Sequence, residues 1–180
     1  MRIIAGLGNP GEKYKKTRHN AGFILLDTLI EKKGLNWEFN KKLGAQVCQD
    51  GETLYVKPQE FMNNSGISIN KILSFYKLLP TKLFKKIKNS DLSETLTMIH
   101  DDIDIPLGKH KISTDSRSAG HNGVQSAINH LKTKNFKRIR VGVLGSKDKI
   151  PLERYVLQKF SPEELEIIEK VNKKIIEEEI

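Results

Sequence analysis

Apolar positions along this chain switch between two spacings, and the switches mark its elements. Ile3-Ile4-Ala5 is a short apolar run that breaks at Gly6-Leu7-Gly8-Asn9-Pro10-Gly11, the pattern of a buried strand ending in a loop. A polar, basic segment, residues 12–18, then leads to His19-Asn20. Over residues 21–33 the spacing becomes helical, with Phe23, Leu26 and Ile30 beside Ile24, Leu25 and Leu29 in one broad stripe. Asn20 is placed to cap this helix and Gly34 to end it. Residues 45–49 and 53–57 alternate around Asp50-Gly51, a hairpin signal, and Pro58 closes the second strand. Phe61-Met62-Asn63-Asn64-Ser65-Gly66 introduces a helix to about residue 77, with Ile69, Ile72, Leu73 and Tyr76 on one face.

The second half repeats the theme. Residues 78–94 are polar and lysine-rich (Lys82, Lys85, Lys86, Lys88), a surface excursion. Residues 95–99 form a short buried strand ending at His100-Asp101-Asp102, and residues 109–113 form another. A small-residue loop, 116–123, enters a helix over 124–131. Residues 136–144 read as a strand carrying Lys137, Arg138 and Arg140. Pro162 opens a final amphipathic helix with Glu163 and Glu164 in its first turn, where the helix dipole favours acids. Strands alternating with helices predict an α/β chain: one domain, residues 1–180, built as a three-layer α/β/α sandwich on a twisted, mixed, mostly parallel sheet.

Composition narrows this further. No apolar run approaches the roughly 20 residues needed to span a bilayer, and the glycine loop interrupts any leader-like apolar segment near the N-terminus. The single cysteine, Cys48, rules out an internal disulfide, fits a reducing cytoplasmic setting, and reads as a small buried hydrophobe. The net charge is +9. Residues 161–180 hold seven Glu against three Lys, net −4, which leaves +13 for residues 1–160. A body this basic points to a polyanionic partner, with nucleic acid first.

Two tempting motifs fail. Residues 6–11 match G-x-G-x-x-G, but eight polar residues separate them from the next helix, and no acidic strand end follows at ribose-binding distance. His100-Asp101-Asp102-Ile103-Asp104 suggests a metal site, yet neighbours along a strand point to opposite faces, so a turn with one working carboxylate is the better reading. What remains is a set at loop junctions: Asn9, His19, Asn63, Asp101, His121 and Asn122. A histidine with a carboxylate partner is the minimal apparatus for activating water near neutral pH. Asparagine amides donate to a carbonyl and to its developing oxyanion without adding charge. The same residues on a basic chain also fit an RNA-binding protein without catalysis; a nucleotide-dependent oxidoreductase is a distant third.

With these residues in view, the chain resembles bacterial peptidyl-tRNA hydrolases along nearly its whole length. The resemblance lies in Gly6 to Gly11 continuing through Tyr14 to Thr17-Arg18-His19-Asn20-Ala21-Gly22, in Pro58 with Phe61 to Gly66, and in Gly120-His121-Asn122-Gly123. The stretch from His100 to Gly108 is also similar to that family. It implies a monomeric, cytoplasmic esterase, needing no metal or other cofactor, that frees peptide from the 3′-terminal ribose of tRNA by engaging the acceptor stem and 3′ end. It implies His19 as base, Asp101 as its orienting acid, and Asn9 at substrate and oxyanion. Asn63 and Asn122 would hold the peptide backbone and tRNA 3′ end, His121 would join them in binding substrate, Met62 and Tyr14 would line the cleft, and Lys111 and Arg140 would clamp the 5′ phosphate. Three departures stand out. Glu60 replaces a small hydroxyl residue, where it would repel tRNA or face solvent. The loop Asp115-Ser116-Arg117-Ser118-Ala119-Gly120 has fewer glycines than usual. The excursion at 79–94 is longer and more basic, and its lysines would contact the tRNA body or solvent.

Overall fold

Four strands whose residues alternate between two buried faces form the middle of the molecule. The structure is a computed structural model that describes residues 1–82, 85–145 and 150–180, without the side chains of 82, 85 and 86. In chain order the elements are β1 (Arg2–Gly6), α1 (Ala21–Lys32), β2 (Glu38–Asn40), β3 (Ala45–Asp50), β4 (Thr53–Pro58) and α2 (Ser65–Phe75). There follow β5 (Thr81–Lys82), β6 (Lys85–Lys86), β7 (Leu96–Pro106), β8 (His110–Ser113), α3 (Asn122–Leu131), β9 (Lys137–Leu144), α4 (Leu152–Val156) and α5 (Pro162–Glu178). The sheet order is β2-β3-β4-β1-β7-β9-β8. The central β4, β1, β7 and β9 run parallel, while β2, β3 and β8 are antiparallel additions at the edges.

Alternation on the central strands assigns the helices to the two faces. Ile3, Ala5, Val56 and Met98 meet Ile69, Ile72 and Leu73 of α2 and Val124, Ala127 and Leu131 of α3. Ile4, Tyr55, Ile99, Ile139, Val141 and Val143 meet Leu25, Leu26 and Leu29 of α1 and Ile168, Val171 and Ile175 of α5. This is the expected α/β architecture with helices on both faces of a mixed sheet. Cys48 is buried in the second cluster, and burial pushes its thiol pKa up.

Two contacts bring helices unusually close. A Cβ on Gly22 would collide with the Ile99 carbonyl oxygen and the Leu7 backbone nitrogen, so the first turn of α1 lies directly on the end of β1 and the middle of β7. Gly66 likewise abuts the Ser126 backbone where α2 crosses α3. Gly22→Ala is expected to cost about 3 kcal/mol by overpacking. That is roughly 6–12 °C in Tm for a chain of this size, read by thermal denaturation.

The structure corrects the sequence reading in several places. β7 does not stop at residue 99; it runs through His100-Asp101-Asp102 to Pro106 because β9 pairs with it as far as Leu144, with a register shift between Asp102 and Pro106. The segment 100–104 is strand rather than a turn. Within the excursion β5 and β6 pair antiparallel. Lys88 is exposed, whereas the side chains of Lys82, Lys85 and Lys86 lie outside the described residues. The short elements β2 and α4 leave no periodic signal in sequence and were not expected.

Candidate active site

β1 ends beside the middle of β7, where Gly6 pairs with Ile99, and the loop that leaves β1 meets the buried β7 residues just beyond that point. His19 sits in a 3-10 turn, Arg18–Asn20, just ahead of α1, and is 9% exposed. Its Nδ1 lies 2.9 Å from Oδ1 of Asp101, in the buried middle of β7. His121 is the N-cap of α3, and its Nδ1 accepts from the backbone N–H groups of Gly123 (3.1 Å) and Val124 (3.3 Å). A nitrogen that accepts carries no proton, so the His121 hydrogen is on Nε2. That Nε2–H donates to the same Asp101 Oδ1 at 2.9 Å. One carboxylate oxygen therefore collects two imidazole N–H groups, and His19 is left with an unprotonated Nε2.

The electrostatics agree. Burial opposes the charge on Asp101, but His19 and His121 with their hydrogen bonds hold its carboxyl far below the usual carboxylate range. Burial alone would lower the pKa of His19; the Asp101 charge and hydrogen bond overcome it and raise that pKa above its ordinary 6.5. His100, the preceding residue on β7, donates from Nδ1 to the Asp101 carbonyl oxygen at 2.7 Å. Burial foremost drives its pKa well down and keeps it neutral, and its ring stands edge-on to His121 at 4.7 Å.

Asn9 is locked from both sides. Its side-chain Oδ1 accepts the Met62 N–H at 2.8 Å, joining the glycine loop to the turn before α2. Its own backbone is clasped by Asn20, whose Oδ1 accepts the Asn9 N–H (2.9 Å) and whose Nδ2 donates to the Asn9 carbonyl (3.0 Å). Asn20 makes no side-chain bond to α1, so the expected helix cap is spent on Asn9 instead. With Oδ1 committed, the Asn9 Nδ2 donor is left for a ligand.

These groups line one cleft of about 530 Å³. Asn9, His19, Met62, Asn63, Asp101, His121 and Asn122 all reach it. Tyr14 does not; it packs edge-on against Phe61 at 6.2 Å, outside the lining. Lys111 and Arg140 also lie outside. They are register partners on β8 and β9, so they share a face, and Arg140 Nε donates to Asp102 Oδ2 at 2.7 Å while Asp102 lines the cleft. Sequence reasoning missed the wall contributed by Ile103, Leu152, Glu153, Val156 and Leu157. Glu60 neither points at the cleft nor stands free: it bonds the Ser68 hydroxyl and lies 3.9 Å from Lys71. The glycine-poor loop still turns left-handed, at Asp115 (φ 50°), Ala119 (φ 49°) and Gly120 (φ 82°).

His19, Asp101 and His121 also bring their donor atoms within 4.8 Å of one another, which a cation could in principle use. The hydrogen-bond pattern fills those positions differently, since both nitrogens facing Asp101 carry protons. The arrangement suits proton transfer at His19 Nε2.

The family model described as peptidyl-tRNA hydrolase matches residues 3–178. A peptidyl-tRNA hydrolase of Mycoplasma capricolum is 40% identical over 171 residues, covering 93% of this chain and 85% of the relative. One of Aquifex aeolicus is 35% identical over 184 residues, covering 98% and 86%. The crystal structure of peptidyl-tRNA hydrolase from Acinetobacter baumannii superposes with a TM-score of 0.84 at 27% identity, covering 98% of this chain and 85% of that one.

Proposed function

Since the chain belongs to the peptidyl-tRNA hydrolase family and hydrolyses peptidyl-tRNA to peptide and free tRNA, we propose that His19 is the base of that reaction and Asp101 its orienting acid. The ester carbonyl of the peptide lies against the Asn9 Nδ2. His19 Nε2 takes a proton from water, the resulting hydroxide adds to the carbonyl carbon, and the oxyanion is stabilised by Asn9. Asp101 stabilises the imidazolium as it forms, and His121 holds Asp101 in place from the other side. The tetrahedral intermediate collapses, and the imidazolium returns its proton to the departing ribose oxygen. Asn63 and Asn122 hold the peptide backbone and the tRNA 3′ end beside Met62. Lys111 and Arg140 hold the 5′ phosphate of the acceptor stem. The protein works as a single-domain monomer, in the cytoplasm, without a metal ion. Among the described residues, no helix is long and apolar enough to cross a membrane.

The observation that carries this reading is the shared Asp101 oxygen, because it leaves His19 Nε2 unprotonated and facing the cleft set. Release of N-acetylated amino acid from tRNA by the purified protein, with and without chelator, tests it. Full activity in chelator is expected; loss that added metal restores would overturn the metal-free mechanism. Lys111→Ala is expected to weaken tRNA binding and reduce the slope of log affinity against log salt by roughly one unit. An unchanged slope would remove Lys111 from the phosphate contact.

A further inference from the structure

The turn that carries His19 is fastened on its far side by the neighbouring Arg18. The buried guanidinium donates from Nη2 to Glu164 Oε1 at 2.5 Å and from Nη1 to the Lys159 carbonyl at 3.1 Å. It also lies against the rings of Tyr155 and Phe160, 4.7 and 5.1 Å from their centroids. Glu164 divides its carboxylate: Oε1 takes Arg18, while Oε2 accepts the Ser161 N–H at 2.9 Å in the capping box that starts α5. The backbone adds two bonds, from Arg18 N–H to the Gln158 carbonyl (3.0 Å) and from Phe160 N–H to the Lys16 carbonyl (2.9 Å).

Helix α4 depends on this anchor. Five residues are too few for a helix to hold itself in water. Its buried residue, Tyr155, donates to the Val143 carbonyl (2.9 Å), accepts from Gly145 N–H (2.8 Å) and stacks on Arg18. From the same helix and the residue after it, Leu152, Val156 and Leu157 line the cleft, and Leu152 and Leu157 are 51% and 46% exposed there. Two large, half-exposed aliphatic side chains beside Val156 and Ile103, across from the polar set, ask for an apolar ligand group. In an acyl ester the side chain of the esterified amino acid branches one bond from the carbonyl that His19 must reach, so it lies in the same cleft that Leu152, Val156 and Leu157 line.

We propose that Arg18 is a positioning residue that holds α4 against the His19 turn, so that Leu152, Val156 and Leu157 receive an aliphatic side chain on the amino acid esterified to the tRNA. This rests on the reading of the cleft as the place of ester hydrolysis. Arg18→Lys keeps the charge but loses both the two-point donation and the ring stacking.

The test compares N-acetyl-leucyl and N-acetyl-glycyl esters of one tRNA. The unaltered protein is expected to prefer the leucyl ester in kcat/KM by about tenfold, the low end of what one methylene contributes in an enclosed pocket, because this wall is half-exposed. In Arg18→Lys and Glu164→Gln that preference is expected to fall toward unity, chiefly through a higher KM for the leucyl ester. The pH midpoint of kcat should not move. Leu157→Ala changes an exposed residue and should shrink the preference even where an Arg18 variant folds poorly. A preference absent from the unaltered protein, or unchanged in Leu157→Ala, overturns the subsite; equal loss on both esters, or a moved pH midpoint, overturns the positioning role. Failure of the catalytic reading would show separately, as undiminished turnover in His19→Ala.

Discussion

His19→Ala is expected to lower kcat by about 10²–10⁴-fold, the usual contribution of a positioned general base. Binding of deacylated tRNA should stay within about threefold, because the substitution removes an interaction made at the reacting water rather than with RNA. Single-turnover release of the peptide and a filter-binding titration separate the two quantities. A variant within tenfold of the unaltered kcat would remove His19 from the reaction. Turnover needs the neutral imidazole, so kcat falls as pH drops through the pKa of His19. Burial works to lower that pKa, but the Asp101 charge and hydrogen bond prevail and place the acid limb above 6.5. The stability increment from the pair has the opposite sense. With the folded pKa raised, it is fully present below the unfolded value and is lost as pH rises through the folded one.

Asp101→Asn is expected to lower kcat by about 10²–10³-fold while the fold survives. Among the described residues His19 and His121 both use Oδ1 of Asp101, and an amide oxygen in the same place can accept both N–H groups. The charge disappears, and with it the stabilisation of the imidazolium. Burial then acts on His19 unopposed, and the acid limb of the pH–kcat profile should move to lower pH even as the plateau falls. An acid limb that stays in place would show that another group sets the His19 pKa. Asp101→Ala should behave differently, since two buried N–H groups lose their acceptor at about 1–3 kcal/mol each. Its Tm should fall well below that of the Asn variant.

Much of the framework is written locally. The helix at 21–33 follows from its apolar stripe and the 45–57 hairpin from alternation around Asp50-Gly51, and both appear close to the expected bounds. The apolar pattern stops the strand at residue 99 because its continuation, His100-Asp101-Asp102, is polar; the ladder to β9 extends it, and that partner begins some forty residues later. Asn20 obeyed a different rule from the expected one. An asparagine ahead of a helix is ordinarily a cap, but here the backbone of Asn9 lies within reach and takes both ends of its amide. Tyr14 was expected in the cleft and is turned aside by Phe61, a packing choice that no local pattern records. The wall on α4 left no trace because five residues carry no period.

The order of residues alone settled which chemistry was possible: a basic α/β chain whose glycines permit a close turn after β1 and which carries an imidazole, a carboxylate and amides able to activate water and hold an ester. Those are properties of residue type and spacing, which act over a few positions. Which nitrogen keeps its proton was decided only in three dimensions. His19 and Asp101 are 82 positions apart, and His121 enters from a third segment with one nitrogen already taken by the start of α3. Protonation depends on distances of a few ångströms between such groups, and those distances exist only once the sheet has set the end of β1 beside the middle of β7.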